Sequence, residues 1–183
     1  PKVQKGACRD RSEMIRALWL QQMPQIDLQG VRVLLDCANG SGHTLGPLLL
    51  KRLGAEVVLR GCEPNGENIN LEVGAMHPPS DLGDCQLGIC LDGDADRVIL
   101  LDQKNGILDG DDLLWLLQPT SGKVVGTVMT NGGLDEAFRG RLLRAKVGDR
   151  NVAKTMRENG ATVGAETSGH VLFSDGLPTG DGL

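Results

Sequence analysis

Short apolar runs alternate along the chain with segments of helical spacing and with glycine-rich turns. Arg11 to Leu20 reads as a helix. Val31-Arg32-Val33-Leu34-Leu35 reads as a buried strand that ends at Asp36 and enters the turn Cys37-Ala38-Asn39-Gly40-Ser41-Gly42. Leu45, Leu48, Leu49 and Leu53 recur at the period of a helix that Gly54 closes, and Ala55 to Leu59 is the next strand. Leu87 to Leu91 and Val98 to Leu101 continue the strands, with a turn at Lys104-Asn105-Gly106 and a helix near Asp111 to Leu117. Val124 to Met129, Leu142 to Val147, a helix from Arg150 to Asn159 closed by Gly160, and Ala161 to Ala165 complete the pattern. This order predicts an α/β protein: two consecutive α/β units with mixed, mainly parallel sheets flanked by helices, of the three-layer αβα type. The turn at Asn105-Gly106 is the expected boundary, giving units 1–106 and 107–183.

Three connections are short for such a fold. Met76 to Gln86, with two prolines, is all that lies between Ala75 and Leu87, whereas a parallel crossover commonly takes about a dozen residues and a helix. Gln118 to Lys123 and Arg139 to Arg141 are similarly compressed. The sequence leaves two readings of them, joined pieces of a longer chain or a shortened variant.

Composition narrows the function classes. The net charge is −5 and the 19 basic residues are scattered, which argues against a nucleic-acid footprint. Aromatic residues make up 2% and tyrosine is absent, so base-stacking platforms are not expected and the cores are built from Leu, Val, Ile and Ala. No apolar run approaches the ~18–20 residues of a membrane helix. The five cysteines are odd in number and form no CxxC pair, which indicates neither a disulfide framework nor a zinc site and fits a reduced, cytoplasmic setting.

The most informative stretch follows the apolar run Leu87-Gly88-Ile89-Cys90-Leu91. Asp92-Gly93-Asp94-Ala95-Asp96-Arg97 alternates three carboxylates with two small residues, so a tight loop can turn several oxygens toward one point. A hard cation wants that cage, and Mg2+ commonly keeps a coordination position for a phosphate oxygen. Arg97 beside the cage suits the same phosphate through charge-assisted hydrogen bonds. An EF-hand shares the Asp-x-Asp-x-Asp opening but wants glycine sixth and glutamate twelfth, where this chain has Arg97 and Gln103. A phosphatase with Asp92 as nucleophile and Asp94 as acid/base stays open on these residues alone.

Glu166-Thr167-Ser168-Gly169-His170 offers an acceptor, a hydroxyl and an imidazole suited to sugar hydroxyls. Lys146-Val147-Gly148-Asp149-Arg150 lies between a strand and a helix start, where anions and polar ligands bind, although Asp149 also fits as a plain helix cap. A dinucleotide site after Asp36 is the competing class. Its glycines, Gly40, Gly42 and Gly46, are spaced one residue too long, and no acidic residue closes the next strand at Leu59-Arg60.

Taken together, Leu-Asp-Gly-Asp-Ala-Asp-Arg-Val at 91–98, Lys-Val-Gly-Asp-Arg at 146–150, Gly-Ala-Glu-Thr-Ser-Gly-His at 164–170 and Thr-Gly-Asp-Gly-Leu at 179–183 resemble, in that order, the α-D-phosphohexomutase family. Asp-Cys-Ala-Asn-Gly at 36–40, Cys-Glu-Pro-Asn-Gly-Glu-Asn-Ile-Asn at 62–70 and Gly-Thr-Val-Met-Thr-Asn at 126–131 resemble its branch acting on glucosamine phosphate. The resemblance implies a four-domain enzyme around one cleft, with this chain as the second domain, 1–106, and a third domain, 107–183, truncated at its C-terminal end. It implies Mg2+ on Asp92, Asp94 and Asp96, and a phosphoserine, supplied by the first domain, contacted by Arg97. Sugar hydroxyls would fall to Glu166 and Ser168, with Lys146, Asp149, Arg150 and His170 near the sugar. The implied partners are a hexosamine phosphate and the first and fourth domains, with a homodimer of the parent left open. The implied reaction interconverts glucosamine 6-phosphate and glucosamine 1-phosphate through a bisphosphate. Its alternatives are a phosphomannomutase or phosphoglucomutase of the same family, or a non-catalytic remnant.

Overall fold

A computed structural model of the chain describes residues 10–104, 106–175 and 180–183. Its elements run α1 (Ser12–Gln22), β1 (Arg32–Asp36), α2 (Leu45–Arg52), β2 (Glu56–Arg60), β3 (Leu87–Leu91), β4 (Val98–Asp102) and β5 (Gly106–Leu108). They continue with α3 (Gly110–Leu116), β6 (Val124–Thr127), α4 (Gly133–Ala137), β7 (Leu142–Ala145), α5 (Asp149–Asn159), β8 (Val163–Ala165) and β9 (Val171–Phe173). The strands form two mixed sheets, ordered β2-β1-β3-β4-β5 and β7-β6-β8-β9. Each has a parallel core, β2-β1-β3 or β7-β6-β8, and ends in antiparallel strands.

Alternation along β1 splits the first sheet into two faces. Val33 and Leu35 pack with Leu91, Val98, Leu50 of α2 and Leu113 of α3. Leu34 points the other way, onto Cys90, Ile99, Leu101, Leu82 and Cys85. In the second sheet, Leu114 of α3 and Phe138 after α4 cover one face, and Val152 and Met156 of α5 cover the other. The expected three-layer α/β arrangement is therefore present, with α3 shared between the two sheets.

The short connections are accommodated by irregular chain. No helix forms among residues 61–86, where Pro64, Pro78 and Pro79 and the left-handed Gly61, Gly66, Gly74 and Gly83 interrupt any run long enough for one. Leu82 and Cys85 from this stretch cover the sheet face that a crossover helix would otherwise occupy. The β6–β7 crossover is reduced to the five-residue α4, with Phe138 fully buried at its end.

Three elements fell outside the sequence reading: β5, α4 and β9. All are three to five residues long, too short for a period to register. Gly106–Leu108 pair with Leu100–Asp102 of β4 within the first sheet; Asn105, in the turn expected to divide the units, lies outside the described residues. Gly54, at φ +93, and Gly160, at φ +64, close α2 and α5 as expected. Asp149 does not cap α5. Gly148 takes the cap position at φ +114 and Asp149 is the first helical residue. No helix among the described residues is long and apolar enough to cross a membrane.

Candidate active site

The loop after β3 is held on three sides. Within it, Ala95 adopts φ +62 and donates its N–H to the Asp92 carbonyl at 3.1 Å, closing a tight turn. Beneath it, Gly40 and Gly93 meet with no room for a side chain. A Cβ on Gly40 would stand 2.1 Å from the Gly93 carbonyl oxygen, and one on Gly93 would stand 2.8 Å from Ile69 Cδ1. The Ser41 N–H donates to that Gly93 carbonyl at 2.9 Å. Beside it, Asp36 is fully buried, pairs with the Arg60 guanidinium and accepts the N–H groups of Ala38 at 2.9 Å and Gly74 at 2.8 Å. Arg60 in turn donates to the Glu72 and His77 carbonyls. This network holds the irregular 61–77 segment against the strand ends next to the loop.

Asp92, Asp94 and Asp96 converge there, one carboxylate oxygen from each lying within 4.8 Å of the others. Asp92 is buried, Asp94 exposed and Asp96 between, so the cluster opens to solvent on one side. Asp92 accepts from Arg97 twice, from the backbone N–H at 3.2 Å and from Nε at 2.6 Å, while Asp96 stands 3.6 Å from the same Nε. Burial, then the negative charge of Asp92, pushes the Asp96 carboxyl above its usual range; His170 and Arg97 oppose that shift and Asp94 adds to it. Three oxygen donors crowded until one resists ionisation are the donor set a hard divalent cation relieves.

The second expected loop is stitched directly to the first. Val98, next to Arg97, donates its N–H to the Gly169 carbonyl at 3.0 Å, and Gly169, at φ +93, has no space for a Cβ, which would fall 2.2 Å from the Val98 oxygen. The ring of His170 lies 3.2 Å from Asp96 through Nδ1. It is 7% exposed, and its buried Nε2 has no hydrogen-bond partner among the described residues. His170, grouped by sequence with the sugar residues, thus has its ring against the aspartate loop.

Glu166 accepts the Gly148 N–H on Oε1 at 2.8 Å, which brings the 146–150 segment to the same loop. Ser168, Lys146, Asp149 and Arg150 are exposed around it. Thr179 lies outside the described residues, but Gly182 donates its N–H to the Ala95 carbonyl at 2.9 Å, and Asp181 accepts from the indole of Trp19 at 2.9 Å.

Sequence reading missed Asp111. It is buried, and its two oxygens accept the Asn131 N–H at 2.8 Å and the Thr167 hydroxyl at 3.2 Å. The preceding Gly110 fits so closely under the 166–169 loop that a Cβ would stand 1.8 Å from the Glu166 carbonyl. Its neighbours Asp109 and Asp112 form an ordinary capping box, so nothing in the sequence distinguishes Asp111 from a third helix-start acid.

Comparison with known proteins gives consistent results. Residues 13–106 match domain II, and residues 109–183 domain III, of the phosphoglucomutase/phosphomannomutase alpha/beta/alpha domains. The chain is 44% identical over 174 residues to the phosphoglucosamine mutase of Rhizobium meliloti strain 1021, covering 86% of this chain and 39% of that protein. It is 41% identical over 178 residues to the phosphoglucosamine mutase of Pseudoalteromonas translucida strain TAC 125, covering 88% and 40%. The chain thus spans about two fifths of the length of these relatives. Among solved structures, a phosphoglucomutase/phosphomannomutase family protein of Burkholderia thailandensis is similar at TM-score 0.69 and 25% identity, over 92% of this chain and 41% of that one. The fold is also that of Aspergillus fumigatus N-acetylphosphoglucosamine mutase, solved with GlcNAc-6P and magnesium, at TM-score 0.63 and 24% identity, over 89% and 40%.

Proposed function

Because the chain belongs to the phosphoglucomutase/phosphomannomutase family through its domains II and III, we propose that it is the magnesium- and sugar-binding part of a phosphoglucosamine mutase. The whole enzyme would interconvert glucosamine 6-phosphate and glucosamine 1-phosphate through a phosphoserine and a sugar bisphosphate. One observation carries the reading: three convergent carboxylates share a rim with the Glu166 loop, joined to it at Val98–Gly169 and Asp96–His170.

Asp92, Asp94 and Asp96 would hold Mg2+, which supplies charge neutralisation at the phosphoryl group when bound. Arg97, fixed by Asp92 through its Nε, presents the rest of its guanidinium to the phosphoserine. Glu166 and Ser168 would take sugar hydroxyls, with the Gly148 bond fixing the Glu166 carboxylate and the exposed Lys146, Asp149 and Arg150 at the mouth. Recognition through hydroxyls rather than either phosphate suits a sugar that must react at both ends. His170 would brace Asp96 from the sugar-loop side. The domains assigned here, about 1–106 and 107–183, exclude the one to which the family resemblance assigns the phosphoserine, so these residues alone should not turn substrate over.

A chimera tests this. Residues 13–183 replace the corresponding segment of the Rhizobium meliloti enzyme, and turnover is measured with glucosamine 6-phosphate and mannose 6-phosphate. The expected result is preference for glucosamine 6-phosphate, lost on Asp94→Ala. A folded, serine-phosphorylated chimera that does not turn over, or that prefers mannose 6-phosphate, would overturn the proposal.

A further inference from the structure

Two thiols meet at the carboxyl ends of β1 and β2. The register pairs Asp36 with Arg60, and the Cys37 N–H donates to the Arg60 carbonyl at 3.1 Å, so Cys37 lies beside Gly61. Strict alternation would send Cys62 to the opposite face of the sheet from Cys37. Gly61, at φ +57, breaks the alternation, and a side chain there would meet the Asp36 carboxylate at 2.6 Å. Cys62 consequently returns to the Leu35 and Cys37 face. Its Sγ stands 3.2 Å from the Arg60 carbonyl and 3.9 Å from that of Leu35, and it packs on the cluster that contains Cys37. Both are free cysteines, and each side chain lies near enough to the other to shift its titration.

Their surroundings differ in the way a reactive and a resolving cysteine differ. Cys37 is fully buried, whereas Cys62 is half-buried and lines an open depression with Asn39, Glu63, Asn65 and Asn68. The neighbouring Cys37 side chain holds the Cys62 thiol below the usual thiol range, and Cys62 drives that of Cys37 up. Thiolate character combined with access is what makes a cysteine oxidisable. Neither sulfur belongs to the aspartate loop or the sugar loop.

We propose that Cys62 and Cys37 are a peroxide-sensitive pair, in which Cys62 is oxidised and Cys37 resolves it to an intramolecular disulfide. The Cys62 thiolate attacks one oxygen of hydrogen peroxide, the O–O bond breaks, and the departing hydroxide takes a proton and leaves as water. The Cys37 sulfur then attacks the Cys62 sulfenic sulfur, the S–O bond breaks, and the hydroxyl leaves as water with the Cys37 proton. In sum, two thiols and one peroxide give one disulfide and two waters, and a dithiol reductant reverses the change. Cys37 opens the turn whose Gly40 seats Gly93, so the bond forms at the base of the aspartate loop.

The purified chain is treated with hydrogen peroxide, acid-quenched, alkylated and digested without reductant. Trypsin is combined with a glutamate-specific protease, whose cuts after Glu67 and Glu72 separate Cys62 from Cys85 and Cys90. The expected product is a Cys37–Cys62 cross-linked peptide, lighter by two hydrogens than its free halves, dominant over every other cysteine pair and abolished by dithiothreitol. In Cys62→Ser, Cys37 should stay alkylatable. Mapping on the unaltered chain decides the matter whether or not that variant folds: a Cys62 that proceeds to sulfinic or sulfonic acid with Cys37 still free, or a dominant link between other cysteines, would overturn the proposal.

Discussion

Replacing Gly40 by alanine is a sharp perturbation of the aspartate loop from outside it. Gly40 sits at φ −109 and ψ −161, which alanine adopts without strain, so the only effect is steric. The added methyl would fall 2.1 Å from the Gly93 carbonyl oxygen and 2.7 Å from its carbonyl carbon and Cα, all backbone atoms that no rotamer change can move. The loop must shift, and the Ser41 to Gly93 hydrogen bond at 2.9 Å breaks with it. Overpacking of this kind costs about 1–3 kcal/mol and the lost bond about 0.5–1.5 kcal/mol. For a chain of this size a loss of some 2–4 kcal/mol lowers Tm by about 5–12 °C. Moving Gly93 carries Asp92 and Asp94 with it, so Mg2+ affinity should fall roughly tenfold, about 1.4 kcal/mol. Gly132→Ala is the control, because Gly132 is in the right-handed helical region with nothing within 4 Å of an added Cβ, and it should be neutral. Thermal unfolding and Mg2+ titration of both variants decide the matter. If Gly40→Ala matched Gly132→Ala, the close seat under the loop would be refuted; if it lost stability while keeping Mg2+ affinity, the coupling of that seat to the metal site would be refuted.

Two further outcomes follow from the groups around the loop. Asp36→Ala strands the Arg60 guanidinium and leaves the Ala38 and Gly74 N–H groups without their acceptor, which should cost about 3–5 kcal/mol in urea unfolding, and a loss below ~1 kcal/mol would contradict the role given to that pair. Alkylation of the native chain over a pH series should label Cys62 first: its lowered thiol ionises below the ordinary thiol range, whereas burial pushes Cys90 up to about 12, so equal labelling of the two at neutral pH would be the wrong result.

The sequence was most legible where chemistry and period coincide. The strand from Leu87 to Leu91 and its three alternating aspartates could be read together, because an apolar run fixes where the loop starts and the small residues fix how tightly it turns. The link between the two loops was not legible. Gly169 docks on Val98 across 71 positions of sequence because a side chain at Gly169 would strike the Val98 carbonyl, and a lone loop glycine carries no mark of its partner. The contact of His170 with Asp96 was hidden for the same reason: its neighbours in sequence are sugar-loop residues, and nothing in the sequence shows its ring turned toward Asp96. The connection from Met76 to Gln86 read as short, since a crossover is expected to bring its own helix, yet Leu82 and Cys85 from it suffice to cover Leu34, Cys90 and Leu101.

The most direct measurement is a calorimetric titration of Mg2+ into the chain and into Asp94→Ala, each with and without glucosamine 6-phosphate. Three carboxylates leave coordination positions open, so Mg2+ should bind weakly to the unaltered chain and more tightly when the phosphate-bearing sugar is present. Asp94 is the exposed member of the cluster and has no hydrogen bond to Arg97 among those of the loop, so its removal should abolish binding while leaving the fold unchanged by circular dichroism. Equal Mg2+ affinity in the two proteins would contradict the assignment of the loop as the metal site.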